Sequence, residues 1–163
     1  MKPLKLFTLI LLLTGFYTLS FAQSPMQKKI GFGILVGDPT GGTLKIWTNP
    51  VNAFVVDIGS SYFGSPRIGV DYIWHFNTFH SRIANLYAGP GGVLGVGEGT
   101  GFWYKNKFFR TGGNVGLGVR GVCGVNIIPE NTPLEVFFEL GLLVGFSPGG
   151  SSFDAALGIR FYP

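Results

Sequence analysis

From Arg67, the segment RIGVDYIWHF puts Ile68, Val70, Tyr72, Trp74 and Phe76 on one face of an extended chain and Arg67, Gly69, Asp71, Ile73 and His75 on the other. Such alternation predicts a β-strand, because successive strand residues point to opposite faces. From Leu134 the pattern recurs: Leu134, Val136, Phe138, Leu140, Leu142, Val144 and Phe146 stand against Glu135, Phe137, Glu139, Gly141, Leu143 and Gly145. In the last segment Phe153, Ala155, Leu157, Ile159 and Phe161 oppose Asp154, Ala156, Gly158, Arg160 and Tyr162. Weaker alternation predicts strands over 29–37, 43–48, 52–63, 84–97 and 113–128, which with 67–76, 134–146 and 153–163 make eight. Turn chemistry divides them at Asp38–Gly42, Thr48–Asn52, Gly64–Pro66, Pro129–Pro133 and Ser147–Ser152. Pro90 weakens the fifth strand, since proline cannot donate to a ladder. The fold predicted is all-β, an antiparallel up-and-down barrel of about eight strands.

Composition narrows the class. The chain has 163 residues, enough for one domain, and only 12% are charged while glycine reaches 27 residues and aromatics 15%. Part of the apolarity is local. Lys2 and Lys5 precede an apolar run from Leu6 to Leu19, and Ser20-Phe21-Ala22 supplies small residues where a signal peptidase cuts. Residues 1–22 therefore read as a cleaved signal peptide, 23–29 as a short polar lead and 30–163 as the barrel. Loss of Lys2 and Lys5 leaves ten basic against eight acidic residues, so the charge balance does not suggest a nucleic-acid partner. The one cysteine, Cys123, excludes an internal disulfide.

Alternation alone does not say which face meets water. The apolar faces of the eight strands carry no charge; the opposite faces carry Lys45, Asp57, Arg67, Asp71, Arg120, Glu135, Glu139, Asp154 and Arg160 among many glycines. Single charges spaced by small residues suit a narrow interior. Several apolar faces approach the length that crosses a bilayer, and aromatics gather near strand ends, where interfacial girdles lie. A charge on a lipid-facing midplane position costs about 2–4 kcal/mol, so charge-free faces are the expected signature of a barrel in lipid. With both termini periplasmic, the connections after odd strands lie outside and can be long. Glu98–Gly113 fits that expectation, whereas the connection after strand four is longer than a tight periplasmic turn.

In these features the chain resembles the small OmpA/OmpX-type barrels. Its last strand, ALGIRFYP, is similar to the C-terminal signal read by the outer-membrane assembly machinery, with Phe161 as the terminal aromatic and Tyr162 and Pro163 trailing it. Gly37–Trp47 (GDPTGGTLKIW) resembles the G-x-P-T-G-x-x-x-K-x-W first hairpin of a family of small outer-membrane proteins. The resemblance implies an outer-membrane location, with lipid and the assembly machinery as partners; it implies no activity.

The nine inward charges are the main chemical constellation. An eight-stranded barrel is just wide enough for side chains to fill, and unpaired ions there are costly. Five acids and four bases are near balance, which predicts an ion-pair network plugging the lumen. Gly116–Gly121 formally fits G-x-G-x-x-G, but that motif needs a following helix and valines continue a strand here. His75 and His80 lack the further ligands of a zinc site, so no metal or other cofactor is expected. Ser60, Ser61 and Ser65 have no histidine placed near them, so no enzyme is expected. Trp103, Tyr104, Lys105, Lys107, Phe108 and Arg110 form a cationic aromatic loop suited to interfacial anchoring or to an unidentified surface partner. The leading expectation is a structural or surface-interaction barrel. The alternatives are a narrow channel or small-molecule carrier, and a soluble periplasmic lipocalin-like binder.

Overall fold

The computed structural model describes residues 29–99, 115–130, 132–147 and 149–163. They form eight strands: β1 (Ile30–Gly37), β2 (Thr40–Trp47), β3 (Asn52–Ser61), β4 (Gly64–Phe76), β5 (Ala84–Val96), β6 (Val115–Ile127), β7 (Leu134–Ser147) and β8 (Gly149–Phe161). Each pairs antiparallel with the next in sequence, and β8 pairs with β1 to close the barrel. Closure leaves no free sheet edge where β1 and β8 overlap, which is how an all-β chain avoids edge-to-edge association. The segment 1–22 expected to be a signal peptide and the loop carrying Trp103, Tyr104, Lys105, Lys107, Phe108 and Arg110 lie outside the described residues.

The turns depart from the expected positions. Thr40–Gly42 and Gly64–Pro66 belong to strands, and so do Ser147 and Gly149–Ser152, while the predicted third strand ends at Ser61 and the chain turns at Tyr62–Phe63. Glycine and proline mark turns in open chain, but here they also sit at crowded strand ends. Pro66 falls where the β3–β4 register shifts between Gly59 and Ser61, a place that requires no ladder donor. Pro90 is likewise accommodated. The β5–β6 ladder runs through it, whereas the β4–β5 ladder breaks between the pairs Asp71–Gly91 and Trp74–Ala88 and resumes in the same register.

Chain order fixes the two ends of the barrel. The terminal end holds the start of β1, the finish of β8 and the connections after β2, β4 and β6; the distal end holds the other four. Of the connections after odd strands, which can be long, three are short. β1 and β2 are joined by Asp38–Pro39 and β3 and β4 by Tyr62–Phe63, and β8 begins two residues after β7 ends. The wall is also uneven. β1 pairs with β8 only from Ala156 to Phe161, so β8 rises beyond the β1–β2 turn with β7 as its one strand partner. The β3–β4 turn bends into that notch, and Tyr62 reaches Ser152 of β8.

Inside and outside differ in chemistry along every strand. Ile30, Phe32, Ile34, Val119, Leu140, Val144, Phe153 and Leu157 are among the exposed outward residues. Among the described residues no outward strand position is charged, and the exposed charges (Lys29, Arg82, Glu98, Glu130) all lie outside the strands.

Candidate functional site in the barrel interior

The two-residue period that makes one face of each strand apolar delivers the other face to the lumen. Lys45, Asp57, Arg67, Asp71, Arg120, Glu135, Glu139, Asp154 and Arg160 all point inward and all are buried. Buried charges are tolerated only when paired and hydrogen-bonded, and these sort into two groups along the barrel axis.

Towards the terminal end the centre is Glu135, which is fully buried. Its Oε1 accepts from Lys45 Nζ at 2.7 Å and from Asn126 Nδ2 at 3.0 Å, with Arg160 Nη1 at 3.5 Å. Its Oε2 accepts from the Tyr162 hydroxyl, which itself accepts from Trp47 Nε1 at 3.1 Å. Arg160 also donates from Nε and Nη2 to Thr43 Oγ1 and stacks over the Phe137 ring, 3.7 Å from its centre. Lys45 Nζ lies 4.3 Å from the centre of the Trp47 ring. One carboxylate thus meets two cations, with aromatic faces taking up the remaining positive field.

Further in, Arg120 has the inverse role: one guanidinium faces four carboxylates. Nη2 donates to Glu139 Oε1 at 2.6 Å and lies 3.5 Å from Asp154; Nη1 lies 3.1 Å from Asp71 and 3.8 Å from Asp57. Tyr87 donates its hydroxyl to Glu139 Oε2 at 2.9 Å. Asp154 joins this group to Arg67, whose Nη2 is 2.8 Å away. Arg67 also reaches Asp38 at 3.4 Å and Ser61 Oγ at 3.2 Å. Asp38 accepts from the Ser61 hydroxyl and from the Tyr62 amide. In that turn, burial raises the Asp38 carboxyl above the ordinary aspartate value, opposed by those hydrogen bonds and by Arg67. Burial pushes the Tyr62 hydroxyl up to about 12.

The expected near-balance of charge needs correction. Asp38, which sequence reasoning leaves in a turn, is buried with the rest, so six acids face four bases among the described residues. The acids also have hydroxyl partners that strand assignment alone did not pair with them: Ser61 for Asp38, Tyr87 for Glu139 and Tyr162 for Glu135.

Glycine makes room for all of this. Cross-strand partners are Lys45–Gly31, Asp57–Gly69, Arg67–Gly95, Asp71–Gly91, Arg120–Gly91, Glu139–Gly124, Asp154–Gly141 and Arg160–Gly33. A Cβ on Gly91 would stand 1.7 Å from Asp71 Oδ1, and one on Gly141 would stand 1.9 Å from Asp154 Oδ1. The large inward rings use the same device. Tyr87 lies against Gly124, Phe137 against Gly158 and Tyr162 against Gly31, each within 2.6 Å of where a Cβ would be.

Buried apolar and aromatic side chains flank the charges towards both ends. At the terminal end Trp47, His75 and Tyr87 stack, with ring centres 4.3 Å and 5.6 Å apart, beside Tyr162. At the distal end Tyr62, Phe63, Val93 and Leu143 form an apolar layer. His75 therefore belongs to the interior packing and His80 to the exposed β4–β5 connection. Gly116–Gly121 lies wholly inside β6. Phe161 points outward beside Phe32, whereas its neighbour Tyr162, read from sequence as trailing residue, is buried. No known protein family, curated protein or solved structure matches the chain.

Proposed function

We propose that this chain is a bacterial outer-membrane β-barrel, exported by its N-terminal segment, whose filled lumen gives it a structural or surface-interaction role rather than a transport one. The observation that carries this reading is the inversion of polarity across the wall. Ten charged side chains are buried inside, while Val119, Leu140, Leu142, Val144 and Leu157 are among the exposed residues outside. In water such a surface would be a severe association hazard, and in hydrocarbon it has no cost. A lipocalin-like binder needs the opposite arrangement, with an apolar interior around its ligand.

Dimensions agree. A thirteen-residue strand such as β6, tilted as barrel strands are, rises about 30 Å along the axis. The outward polar residues Thr40, Ser60 and Ser151 fall at the distal ends of their strands and Asn52 at a terminal one. Tyr72 and Trp74, with ring centres 5.2 Å apart, and Phe54, 4.8 Å from Tyr72, form an outward aromatic cluster near the terminal end. That is the position of an interfacial girdle. In this reading the lipid is the partner in place, the assembly machinery the partner during biogenesis, and Phe161 the outward aromatic that machinery reads.

Fractionation followed by denaturing electrophoresis, with and without boiling, tests the reading. A heat-dependent change in mobility of protein recovered from the outer membrane is the expected result; recovery from the soluble periplasm overturns it. Planar-bilayer recordings on the same protein are expected to show no stable, ion-selective conductance, because buried charged and aromatic side chains occupy the interior.

A further inference from the structure

Among the described residues the barrel interior holds two more acids than bases. Asp38, Asp57, Asp71, Glu135, Glu139 and Asp154 are buried against Lys45, Arg67, Arg120 and Arg160. The excess is concentrated around Arg120, whose single positive charge is shared among Asp57, Asp71, Glu139 and Asp154. Uncompensated charge in a dry interior is expensive, so something must take up the difference.

We propose that Asp57, Asp71 and Glu139 form a binding site for one hard divalent cation of the calcium type inside the barrel. One oxygen from each carboxylate lies within 4.8 Å of those of the other two. That separation fits oxygens on opposite sides of an ion whose ligands stand at about 2.3–2.6 Å. A second observation points to the same place. Oδ1 of Asp71 and Oδ1 of Asp57 are buried with no hydrogen-bond partner, Asp71 Oδ2 has only the Arg120 guanidinium 3.1 Å away, and Asp71 is only 1% exposed. Buried acceptors are normally satisfied, so two carboxylate oxygens without a partner in one cluster mark a missing ligand. There is room beside them. Gly69, the cross-strand partner of Asp57, faces the lumen, and a Cβ built on it finds nothing nearer than 3.8 Å. A divalent ion would remove the whole charge excess and would satisfy the orphaned oxygens. Arg120 would keep its Nη2 contacts to Glu139 and Asp154. The site depends on the barrel interior alone and stands whether lipid or water lies outside the wall.

The experiment uses the full folded chain in detergent, stripped with a chelator and then given calcium chloride alone at neutral pH. Equilibrium dialysis with radioactive calcium is expected to find one equivalent bound per chain. At a concentration about one hundred times the dissociation constant, the unfolding midpoint is expected to rise by about 5–10 °C. Asp71→Asn is expected to abolish both the bound equivalent and the midpoint rise, while unfolding in chelator no earlier than the parent, because it removes one charge of the excess. Asp57→Asn takes its place if that variant does not fold. Glu98→Gln, which alters an exposed acid outside the strands, is expected to keep both effects. A parent protein that binds no calcium and shows no rise overturns the proposal and leaves protons as the balancing charge. So does calcium binding that survives Asp71→Asn or is lost in Glu98→Gln.

Discussion

Asp71 and Gly91 face each other across β4 and β5, and the contact between them shows how the interior is made. The carboxylate occupies the volume a side chain on Gly91 would need. Gly91→Ala is therefore expected to destabilise the barrel by about 1–3 kcal/mol, as overpacking does. Gly92→Ala is the matched control. Gly92 points outward and the nearest atom to an added Cβ is 4.0 Å away, so its effect is expected to stay within about 0.5 kcal/mol. Denaturant midpoints of the two variants in one detergent make the comparison. Glu135 presents the converse case, a charge whose removal strands others. Glu135→Gln leaves Lys45 and Arg160 facing a neutral amide in a fully buried site, and the expected loss is about 3–5 kcal/mol. Adding Lys45→Met to that variant is expected to recover part of the loss, because the two positions touch and their effects are not additive. A double-variant loss equal to the sum of the Glu135→Gln and Lys45→Met single losses would mean the pair is not coupled.

At the scale of the strand, the inward and outward phase was legible from sequence, because each strand carries two chemistries on a two-residue period. The phase of β4, β7 and β8 follows from Asp71, Glu139 and Asp154 each standing between two apolar residues. Register and depth were not legible. Nothing in the chain couples Lys45 to Glu135, ninety residues away, until β8 closes on β1. Turn positions failed for a related reason. Gly64 and Gly149–Gly150 are strand residues, and at Gly64 a side chain would meet the backbone of Gly95 at 2.6 Å, the same lack of bulk that makes glycine a turn signal. Asp38 is not legible as an interior charge because it lies one residue past the end of β1, in a turn, yet it is buried; Tyr162, one residue past β8, keeps the inward phase that alternation gives it beside Arg160. The outward phase has its own consequence. Leu140→Arg, near the middle of β7, is expected to cost about 2–4 kcal/mol in lipid, and Thr40→Arg, at the distal edge of β2, at most about 1 kcal/mol. Unfolding titrations in lipid vesicles measure both. Equal costs would mean that no depth-dependent apolar band surrounds the wall.

For the molecule as a whole, the open question is what covers the outer surface, and Cys123 supplies a probe already built into the chain. It is the single cysteine, it is exposed on the outward face of β6, and it lies well inside that strand, four residues before Ile127. Thiol reagents act on the thiolate, which needs water around it. If the barrel sits in a bilayer as proposed, hydrocarbon surrounds Cys123 and a charged, water-soluble maleimide is expected to leave it unmodified in intact membranes. A small apolar maleimide, which partitions into lipid, is expected to reach it more readily. Unfolding the protein in denaturant should abolish the difference, showing that the thiol itself is intact and competent. A barrel dissolved in water gives the opposite result, with rapid modification of the folded protein by the charged reagent, since Cys123 is exposed among the described residues. Mass spectrometry of the intact chain reads the outcome directly, one adduct or none. Because the inward side chains are untouched by the reagent, the experiment separates the question of what lies outside the wall from the question of how the charges inside it are held.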